Sequence, residues 1–385
     1  MYTDQLAEIH ASPEQGVIVL AGGGASALSR LLGAPGASGT LLDASVPYSA
    51  AALTNFLGQA PDTSVSGETA RSMAAIAFQR ANALDPDAIG HNFGLSVTAA
   101  LTTNRARRGT DRAYIALHCQ RASYLRSIEY TKAEDLSDTA EPKSLRDQQE
   151  SVLCHEILDL LSHHMGIFFP SMTFDARYQS NTNAVQAPMD WQQVMVKAQD
   201  CNQPLSEPTC LFPGAFNPVH KGHVLMKTVA EQMTGLSVNF ELSIHNVDKP
   251  CLDYFSIQER LQQLAPHGAA ILTNAPTFLE KAALFPNTTF VIGIDTLLRI
   301  DQSKYYGSGS QRDQAIEHLA RLGTQFLVFG RLQEGEFLSL AQIEISAQLK
   351  ALCTMVGEAV FRQDISSTTL RSSASARAKA NGAHP

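Results

Sequence analysis

Residues 214–223 read Gly214-Ala-Phe-Asn-Pro-Val-His-Lys-Gly-His223, or GxFxPxHxGH, and they stand between an apolar run and a helical pattern. Gly214 lets the backbone approach a ligand closely, Pro218 stiffens the loop, and His220 and His223 lie one turn apart at the helix start. The unpaired N–H groups of a helix start and two nearby imidazoles can donate hydrogen bonds to phosphoryl oxygens. A strand-to-helix turn with two surface histidines is the alternative, but the agreement of six fixed positions favours a nucleotide-phosphate site.

The sequence on the C-terminal side of this loop alternates between short apolar runs and helical stretches. Counting the run before the loop, five runs are interpreted as strands, at 209–213, 237–243, 269–273, 288–294 and 324–330. Such alternation is typical of βαβ units with a parallel sheet, in which ligands bind at the carboxyl ends of the strands. The loop follows the first strand, so the predicted phosphate site lies at that edge of the sheet.

A second motif, Asp364-Ile-Ser-Ser-Thr-Thr-Leu-Arg371, stands near the C-terminus and has the form ISSTxxR. Ile365, Ser366, Ser367 and Thr368 lie where N–H groups and hydroxyls at a helix start can bind phosphate. Arg371 lies one turn further on, where its guanidinium can hold a β- or γ-phosphate with two hydrogen bonds. Alone, these residues would be a helix cap followed by an exposed arginine; together with the first motif they favour phosphate binding.

A third motif, Phe290-Val-Ile-Gly-Ile-Asp295, ends a predicted strand with a glycine and an acid. Gly293 and Asp295 are placed to meet a ribose, since a carboxylate accepts two hydroxyl hydrogen bonds. The alternative is a Gly-x-Asp sequence that caps the next helix.

In this order the motifs resemble those of the HxGH nucleotidyltransferases, which include the adenylyltransferases of nicotinamide and nicotinate mononucleotide, phosphopantetheine adenylyltransferase and the cytidylyltransferases. The resemblance implies a Rossmann-like parallel sheet, catalytic roles for His220, His223 and Arg371, and Mg²⁺ carried by the phosphates of ATP. It also implies a set of nucleotide contacts: Gly214, Ala215, Phe216, Lys249, Gly293, Asp295, Ile365, Ser366, Ser367 and Thr368. The six cysteines show no CxxC and no zinc-like spacing with histidine, so no metal site is expected.

Members of this superfamily that act on pyridine nucleotides carry a GxD acid that contacts the adenosine ribose, and Asp295 matches it. The resemblance therefore implies ATP and a pyridine mononucleotide as substrates, pyrophosphate release and NAD biosynthesis. Those members usually stack a tryptophan on the pyridine ring; here Trp191 is the only tryptophan, and Tyr305 and Tyr306 follow the acid instead. Cytidylyl transfer, adenylyl transfer to phosphopantetheine and a non-catalytic nucleotide sensor stay open. Arg331 matches a strand-end arginine of the superfamily, and its role is left open.

Residues 14–165 also alternate between β-rich and helical patterns, with strands at 16–21, 111–118 and 122–130 and a long helix over 144–164. The segments Gly36-Ala-Ser-Gly39, Val46-Pro-Tyr-Ser-Ala50 and 64–74, followed by Arg146, resemble in order and spacing the C-terminal domain of CinA, the nicotinamide mononucleotide deamidase family. Active relatives have a nucleophilic serine where this chain has Ala21, and an alanine cannot attack an amide. We predict no deamidase activity here, and a scaffold, dimerisation or ligand-sensing role is favoured. The run Gly22-Gly-Gly24 is a weak indication of a phosphate cradle.

The predicted fold is α/β with two domains: a CinA-like domain at 1–165 and a nucleotidyltransferase domain at 209–385. A polar linker is expected at 166–208, with one short helix around Trp191. A chain of 385 residues is too long for one ordinary core, which agrees with two domains. The N-terminal domain is a candidate for homo-oligomer formation.

The charge and hydropathy of the chain exclude some partners. A net charge of −8 without basic runs argues against nucleic acid, although Arg105, Arg107 and Arg108 could contact phosphate locally. No apolar stretch reaches membrane-spanning length and no export signal is visible. A cytoplasmic protein without a membrane partner is therefore expected.

Overall fold

The chain folds into two units in the computed structural model, which describes residues 2–103, 109–131, 142–174, 177–205, 209–246, 250–333 and 336–362. The first unit comprises Met1–Gln192 and Asp248–Phe255, and the second comprises Gln193–Val247 and Ser256–Pro385. The first unit is therefore made of two separate stretches of the chain. No helix among the described residues is both long enough and apolar enough to cross a membrane.

The N-terminal part of the chain contains a mixed six-stranded sheet. Its strands are β1 (Gln15–Ala21), β2 (Leu41–Ser45), β3 (Asn92–Ala100), β4 (Arg112–Cys119), β5 (Ala122–Tyr130) and β6 (Tyr178–Gln186). The helices are α1 (Thr3–Ala11), α2 (Ala25–Gly33), α3 (Ala50–Leu57), α4 (Gly67–Leu84), α5 (Pro142–Met165) and α6 (Met189–Met195). The strand order is β2-β1-β3-β4-β5-β6. β1 pairs in parallel with both β2 and β3, and the pairs β3–β4, β4–β5 and β5–β6 are antiparallel.

Helices cover both faces of this sheet. Because successive residues of a strand point to opposite faces, β1 contributes to two apolar clusters. Ile18 and Leu20 pack with residues of α1, α2 and α5, whereas Val17 and Val19 pack with residues of α3 and α4. This explains why β1 is apolar at nearly every position.

The stretch predicted as a linker differs from the structure. The short helix around Trp191 is present as α6, but residues Tyr178–Gln186 also form β6, which pairs with β5 along its whole length. An edge strand that is mostly exposed needs no apolar alternation, so its polar sequence gave no strand signal. The strands predicted at 111–118 and 122–130 are present as β4 and β5, which pair antiparallel.

The C-terminal part of the chain contains a second, parallel sheet. Its strands are β7 (Cys210–Pro213), β8 (Val238–Ser243), β9 (Ala270–Thr273), β10 (Thr289–Gly293), β11 (Gln325–Phe329) and β14 (Cys353–Val356), and a separate hairpin joins β12 (Arg331–Gln333) to β13 (Glu336–Leu338). The helices are α7 (Lys221–Thr234), α8 (Tyr254–Leu264), α9 (Phe278–Leu284), α10 (Ile294–Ile300), α11 (Gly309–Arg321) and α12 (Ala347–Lys350). All five predicted strands are present, with ends that agree within one residue.

The order of the second sheet is β9-β8-β7-β10-β11-β14, and every pair in it is parallel. The chain runs outward from β7 through β8 to β9, then returns to the other side of β7 to form β10. The strand order therefore reverses between β7 and β10, which is where doubly wound sheets open a crevice for ligands. The predicted α/β fold, with a Rossmann-like parallel sheet in the C-terminal domain, is confirmed.

Candidate functional site

The loop after β7 begins with a glycine that a larger residue could not replace without movement. A Cβ atom on Gly214 would lie 2.6 Å from the ring of Phe216. The N–H of Gly214 donates to the carbonyl oxygen of Glu241 on β8 at 3.1 Å. Phe216, with φ of 46°, is only 2% exposed, and its ring centroid lies 5.1 Å from those of Phe240 and His223.

The three loop residues predicted to contact the nucleotide, Gly214, Ala215 and Phe216, differ in what they expose. The ring of Phe216 lies in the core and supports His223 from behind, so only its main chain is available to a ligand. Gly214 and Ala215 are half-buried and lie at the carboxyl end of β7. The loop presents main-chain groups to a ligand and keeps its aromatic side chain inside.

The two histidines lie together at the start of α7. His220 occupies the position before the first helical residue, and the rings of His220 and His223 stack with centroids 3.7 Å apart and planes 21° apart. The main-chain N–H of His220 donates to Nδ1 of His223 at 3.3 Å. Nδ1 of His223 is therefore the acceptor, and its neutral ring carries the proton on Nε2.

Both imidazoles are neutral at physiological pH. Burial lowers the pKa of His220, and burial together with the charge of His220 lowers the pKa of His223 to about 3. Neutral rings can donate hydrogen bonds but carry no fixed positive charge. The donors suit a phosphoryl group that gains charge during a reaction.

A groove of about 580 Å³ adjoins His220 along one face of α7. Lys221 on this helix and Gln263 and His267 beyond it contribute polar groups, and the rest of the lining is largely apolar. The side-chain oxygen of Gln263 accepts a hydrogen bond from the N–H of Val219 at 3.1 Å. The end of α8 is thus tied to the main chain immediately before His220.

The predicted ribose acid stands at the neighbouring strand end. β10 ends at Gly293, and Asp295 lies in the first turn of α10. Oδ2 of its carboxylate lies 2.8 Å from Nη1 of Arg331, at the start of β12. Because β10 pairs with β7, this acid and the histidine loop follow adjacent strands at the same edge of the sheet. A Cβ on Gly293 would meet no atom within 4 Å, so there is free space in front of that strand end.

The two tyrosines proposed to stack on a pyridine ring follow α10. Tyr305 ends a short 3₁₀ turn and is half-buried, with Nζ of Lys304 4.8 Å from its ring centroid. Tyr306 is half-buried too, and burial and then Asp301 raise the pKa of its hydroxyl. Their role in substrate stacking stays a prediction.

Several predicted site residues lie outside the described residues: Lys249, Ile365, Ser366, Ser367, Thr368 and Arg371. The arginines at 105, 107 and 108 do so as well. Their assignments stay predictions. Among the residues that are described, no group of three or more His, Cys, Asp or Glu side chains could hold a metal ion.

A buried ion pair near the loop was not anticipated from the sequence. Glu241 is 1% exposed, and its carboxylate accepts from Nζ of Lys281 on α9 at 2.7 Å and from the hydroxyl of Thr273. Lys281 also donates to the carbonyl of Ala275 at 2.7 Å. The sequence feature that could have indicated this ion pair is a glutamate within the apolar run of β8, because a buried charge needs a partner.

The glycine turn of the first unit is not an open phosphate cradle. The carboxylate of Glu150 on α5 accepts from the N–H groups of Gly24 and Ser26, at 3.0 and 3.1 Å, and from the hydroxyl of Ser26 at 2.9 Å. Arg146 donates to the carbonyl of Gly22 at 3.3 Å. An internal carboxylate thus occupies the start of α2, where the glycine run had given only a weak indication of a phosphate cradle. Ala21, at the predicted nucleophile position, ends β1.

The comparison with protein families agrees with the geometry of the second sheet. Residues 211–373 match the family described as cytidylyltransferase-like. This part of the chain is similar to that family. The resemblance to HxGH nucleotidyltransferases is thereby confirmed, and the family supports a nucleotidyltransferase.

The N-terminal region matches solved structures of the CinA superfamily. A CinA superfamily protein of Escherichia coli is 14% identical, with 43% of this chain and 88% of that chain covered and a TM-score of 0.30. CihA, a competence/damage inducible protein of Agrobacterium tumefaciens, is 17% identical, with 42% and 93% covered and a TM-score of 0.33. A competence or damage-inducible protein of Enterobacter asburiae is 16% identical, with 42% and 96% covered and a TM-score of 0.31. The comparison with curated proteins gave no match.

Proposed function

We propose that the cytidylyltransferase-like domain transfers the adenylyl group of ATP to the phosphate of a pyridine mononucleotide and releases pyrophosphate. The observation that carries the proposal is the stacked, neutral pair His220 and His223 at the start of α7, directly after β7. The strand order reverses beside β7, and Asp295 follows the neighbouring strand at the same edge. Proposed donors for a phosphate and a proposed acceptor for a ribose therefore follow adjacent strands at one edge of the sheet.

The reaction needs no protein nucleophile. An oxygen of the acceptor phosphate attacks the α-phosphorus of ATP in line, a new P–O bond forms, and the bond to the β-phosphate oxygen breaks. The rings of His220 and His223 and the N–H groups at the start of α7 would stabilise charge on the α-phosphoryl oxygens. Arg371, Ser367 and Thr368 are proposed to hold the leaving pyrophosphate.

Mg²⁺ fits this site only as a companion of the nucleotide. Because no group of three ligating side chains occurs among the described residues, the ion would be held largely by phosphate oxygens, as Mg²⁺ with its retained waters often is. Bound in that way, it would neutralise charge on the triphosphate.

The substrate assignment rests on Asp295 and the tyrosines. Arg331 contacts Oδ2 of Asp295, and Oδ1 is proposed to accept from a ribose hydroxyl. Tyr305 and Tyr306 are proposed to stack on the pyridine ring in place of the tryptophan common in the superfamily.

The test is pyrophosphate release by the full-length protein with ATP and Mg²⁺. Nicotinamide mononucleotide, nicotinate mononucleotide and phosphopantetheine are supplied separately. We expect release with a pyridine mononucleotide, and a loss of about 10²–10³ in kcat on His220→Ala with ATP binding largely retained. Release with phosphopantetheine alone would refute the pyridine assignment.

Cytidylyl transfer is the second candidate, because the matching family is described as cytidylyltransferase-like. Replacing ATP by CTP in the same assay distinguishes the two donors. If nucleotide binds but neither donor yields pyrophosphate with any acceptor, the domain is a nucleotide sensor and the proposed activity is refuted.

A further inference from the structure

The sheet of the first unit ends in a strand whose outer side is open. β6 is the last strand in the order β2-β1-β3-β4-β5-β6, and among the described residues no other strand pairs with its outer side. It has nine residues, and it pairs with β5 from Tyr178 to Gln186 in an unbroken register. Residues 179–184 are all exposed. A long and regular strand therefore borders solvent at this edge.

Alternate residues of β6 direct their main-chain groups away from the sheet. Just beyond its two ends, the carbonyl of Arg177 accepts from the N–H of Thr131 at 3.0 Å, and the N–H of Ala187 donates to the carbonyl of Arg121 at 2.9 Å. Because bonded and non-bonded pairs alternate in an antiparallel ladder, the odd-numbered residues of β6 bond to β5. The even-numbered residues point their N–H and carbonyl groups outward: Tyr178, Ser180, Thr182, Ala184 and Gln186.

β6 has none of the features that usually protect an edge strand. Natural edge strands are commonly short, bulged, interrupted by proline or charged, and each of these features hinders pairing with another chain. The sequence of β6, YQSNTNAVQ, contains no charged residue, no proline and no glycine. Its composition and its regular register thus leave the outer side able to accept another strand.

The other edges of the two six-stranded sheets do show such protection. β2, at the opposite edge of the first sheet, has five residues, and its register with β1 shifts at one point. In the second unit, β14 has only four residues. The edge of β9 is covered, because main-chain hydrogen bonds of 3.0 Å join Asn202 to Leu272 and Asn274 to Asp200. β6 is the exception, and this points to a partner for it.

We propose that β6 pairs with β6 of a second copy of this chain, antiparallel and about a two-fold axis. Such an axis uses the same surface of both copies, so residues whose numbers have a constant sum lie opposite one another. With the axis at Thr182, every outward-facing residue meets an outward-facing residue. Thr182 meets its own counterpart, and Ser180 meets the partner's Ala184. The inference concerns the first unit alone and does not depend on the proposed transfer activity.

The strand is a suitable partner for itself. The outward-facing residues form five opposed pairs, and two hydrogen bonds for each pair give about ten in all. A typical protein–protein interface contains about ten. No like charges meet, because β6 has no charged residue. On the face that carries the odd-numbered side chains, Asn181 lies opposite the partner's Asn183, and two amide groups can bond to each other.

The experiment measures the mass of the full-length protein by sedimentation velocity over a wide range of concentrations. Ala184→Pro removes one outward N–H but no bond to β5, and proline is tolerated on an edge strand whose N–H faces solvent. Ala184→Thr is the matched control at the same exposed position, because threonine suits a strand and keeps the N–H. Circular dichroism shows whether each variant is folded.

Two double variants test the register. Asn181 and Asn183 are exposed, and each pair of them is formed twice across the axis. Asn181→Lys combined with Asn183→Lys places like charges opposite each other, and we expect self-association to weaken about tenfold. Asn181→Lys combined with Asn183→Glu places opposite charges there instead, and self-association should be retained or strengthened. Both double variants keep every main-chain N–H.

We expect the wild type and Ala184→Thr to reach twice the monomer mass of 41.6 kDa. Ala184→Pro should fold normally and associate at least about tenfold more weakly. A wild type that stays monomeric at every concentration would overturn the proposal, as would a dimer that Ala184→Pro leaves intact. If Ala184→Pro does not fold, the double variants decide, and equal association of the two would overturn the proposal. A monomeric wild type that binds an extended foreign peptide along β6 would assign the edge to another protein and refute the second copy.

Discussion

Neutral histidines set an unusual expectation for the pH dependence of transfer. Since the pKa of His223 is lowered to about 3 and that of His220 is lowered too, neither ring gains or loses a proton near neutrality. We expect kcat to be flat above pH 6.5, the ordinary pKa of histidine. If the imidazoles acted as cations, kcat would decline above their ordinary pKa of 6.5. A pH–rate profile at saturating substrates distinguishes the two, with His223→Ala as the control that lowers kcat at every pH.

The same lowered pKa values affect stability in acid. Below pH 6.5 the histidines of the unfolded chain bind protons, whereas those of the folded protein bind them only at lower pH. The free energy of unfolding therefore falls as the pH drops below 6.5. Urea denaturation at pH 7 and pH 5 should show a smaller loss for His223→Ala than for the wild type.

An added methyl group should lower the free energy of unfolding at one glycine of the site and leave it nearly unchanged at another. In Gly214→Ala the new Cβ would lie 2.6 Å from the buried ring of Phe216, whose movement would disturb His223. We expect a loss of about 1–3 kcal/mol in the free energy of unfolding together with lower kcat. Gly293→Ala is the control, because nothing lies within 4 Å of its Cβ and its φ of −80° suits any residue.

Gly293→Ala should change the free energy of unfolding by no more than about 0.5 kcal/mol. It should nevertheless weaken ATP binding, because the methyl group would occupy the space proposed for the ribose. Denaturation and ATP titration of both variants provide the measurements. A Gly214→Ala protein as stable as the wild type would contradict the packing described for Phe216.

Among the secondary-structure elements, the ion pair between β8 and α9 joins two elements beside the nucleotide loop. Lys281→Met would leave the carboxylate of Glu241 buried without a cation, and we expect a loss of about 3–5 kcal/mol in the free energy of unfolding. The double change Glu241→Gln with Lys281→Met should recover most of that loss. The exposed pair Glu358 and Arg362 is the control, since Glu358→Gln should cost no more than about 1 kcal/mol.

Urea denaturation of these variants measures the effect. Equal and small losses for Lys281→Met and Glu358→Gln would mean that the pair on β8 and α9 is solvated. The main-chain oxygen of Glu241 accepts from Gly214, so we also expect slower transfer in Lys281→Met.

The elements differ in how far the sequence could predict them. The strands β7, β8, β9, β10 and β11 are buried runs, and their apolar residues predicted them within one residue. β6 and β14 lie at sheet edges, where exposure removes the pattern that prediction depends on.

The sequence could predict the residues of the candidate site that stand in motifs, but not the contacts between distant parts of the chain. The histidines and Asp295 stand in contiguous motifs, and strand order explains why they share an edge. The pairing of Glu241 with Lys281, the contact of Asp295 with Arg331 and the closure of the Gly22–Gly24 turn by Glu150 join residues distant in sequence. No local spacing encodes such pairs.

For the whole molecule, the only tryptophan offers a probe of the first unit. Trp191 lies in that unit, and its ring stacks on that of Tyr254 with centroids 6.4 Å apart. ATP at about 100 times its dissociation constant should stabilise the folded protein by about 2.7 kcal/mol. We expect ATP to raise the melting midpoint recorded by tryptophan fluorescence as well as that recorded by circular dichroism. A fluorescence midpoint that is indifferent to ATP would show that the two units melt independently.

The interrupted path of the chain also constrains how the protein is made. A ribosome releases the chain from its N-terminus, and domains generally fold in the order in which they emerge. Here the pocket that buries Tyr254 beside His118 and Ser123 is synthesised well before the tyrosine itself, and β7, α7 and β8 emerge in between. The contacts of the first unit are therefore complete only after residues 250–255 have left the ribosome. A nascent chain arrested before this segment should expose His118 and Ser123 to solvent, and would be a natural target for chaperones.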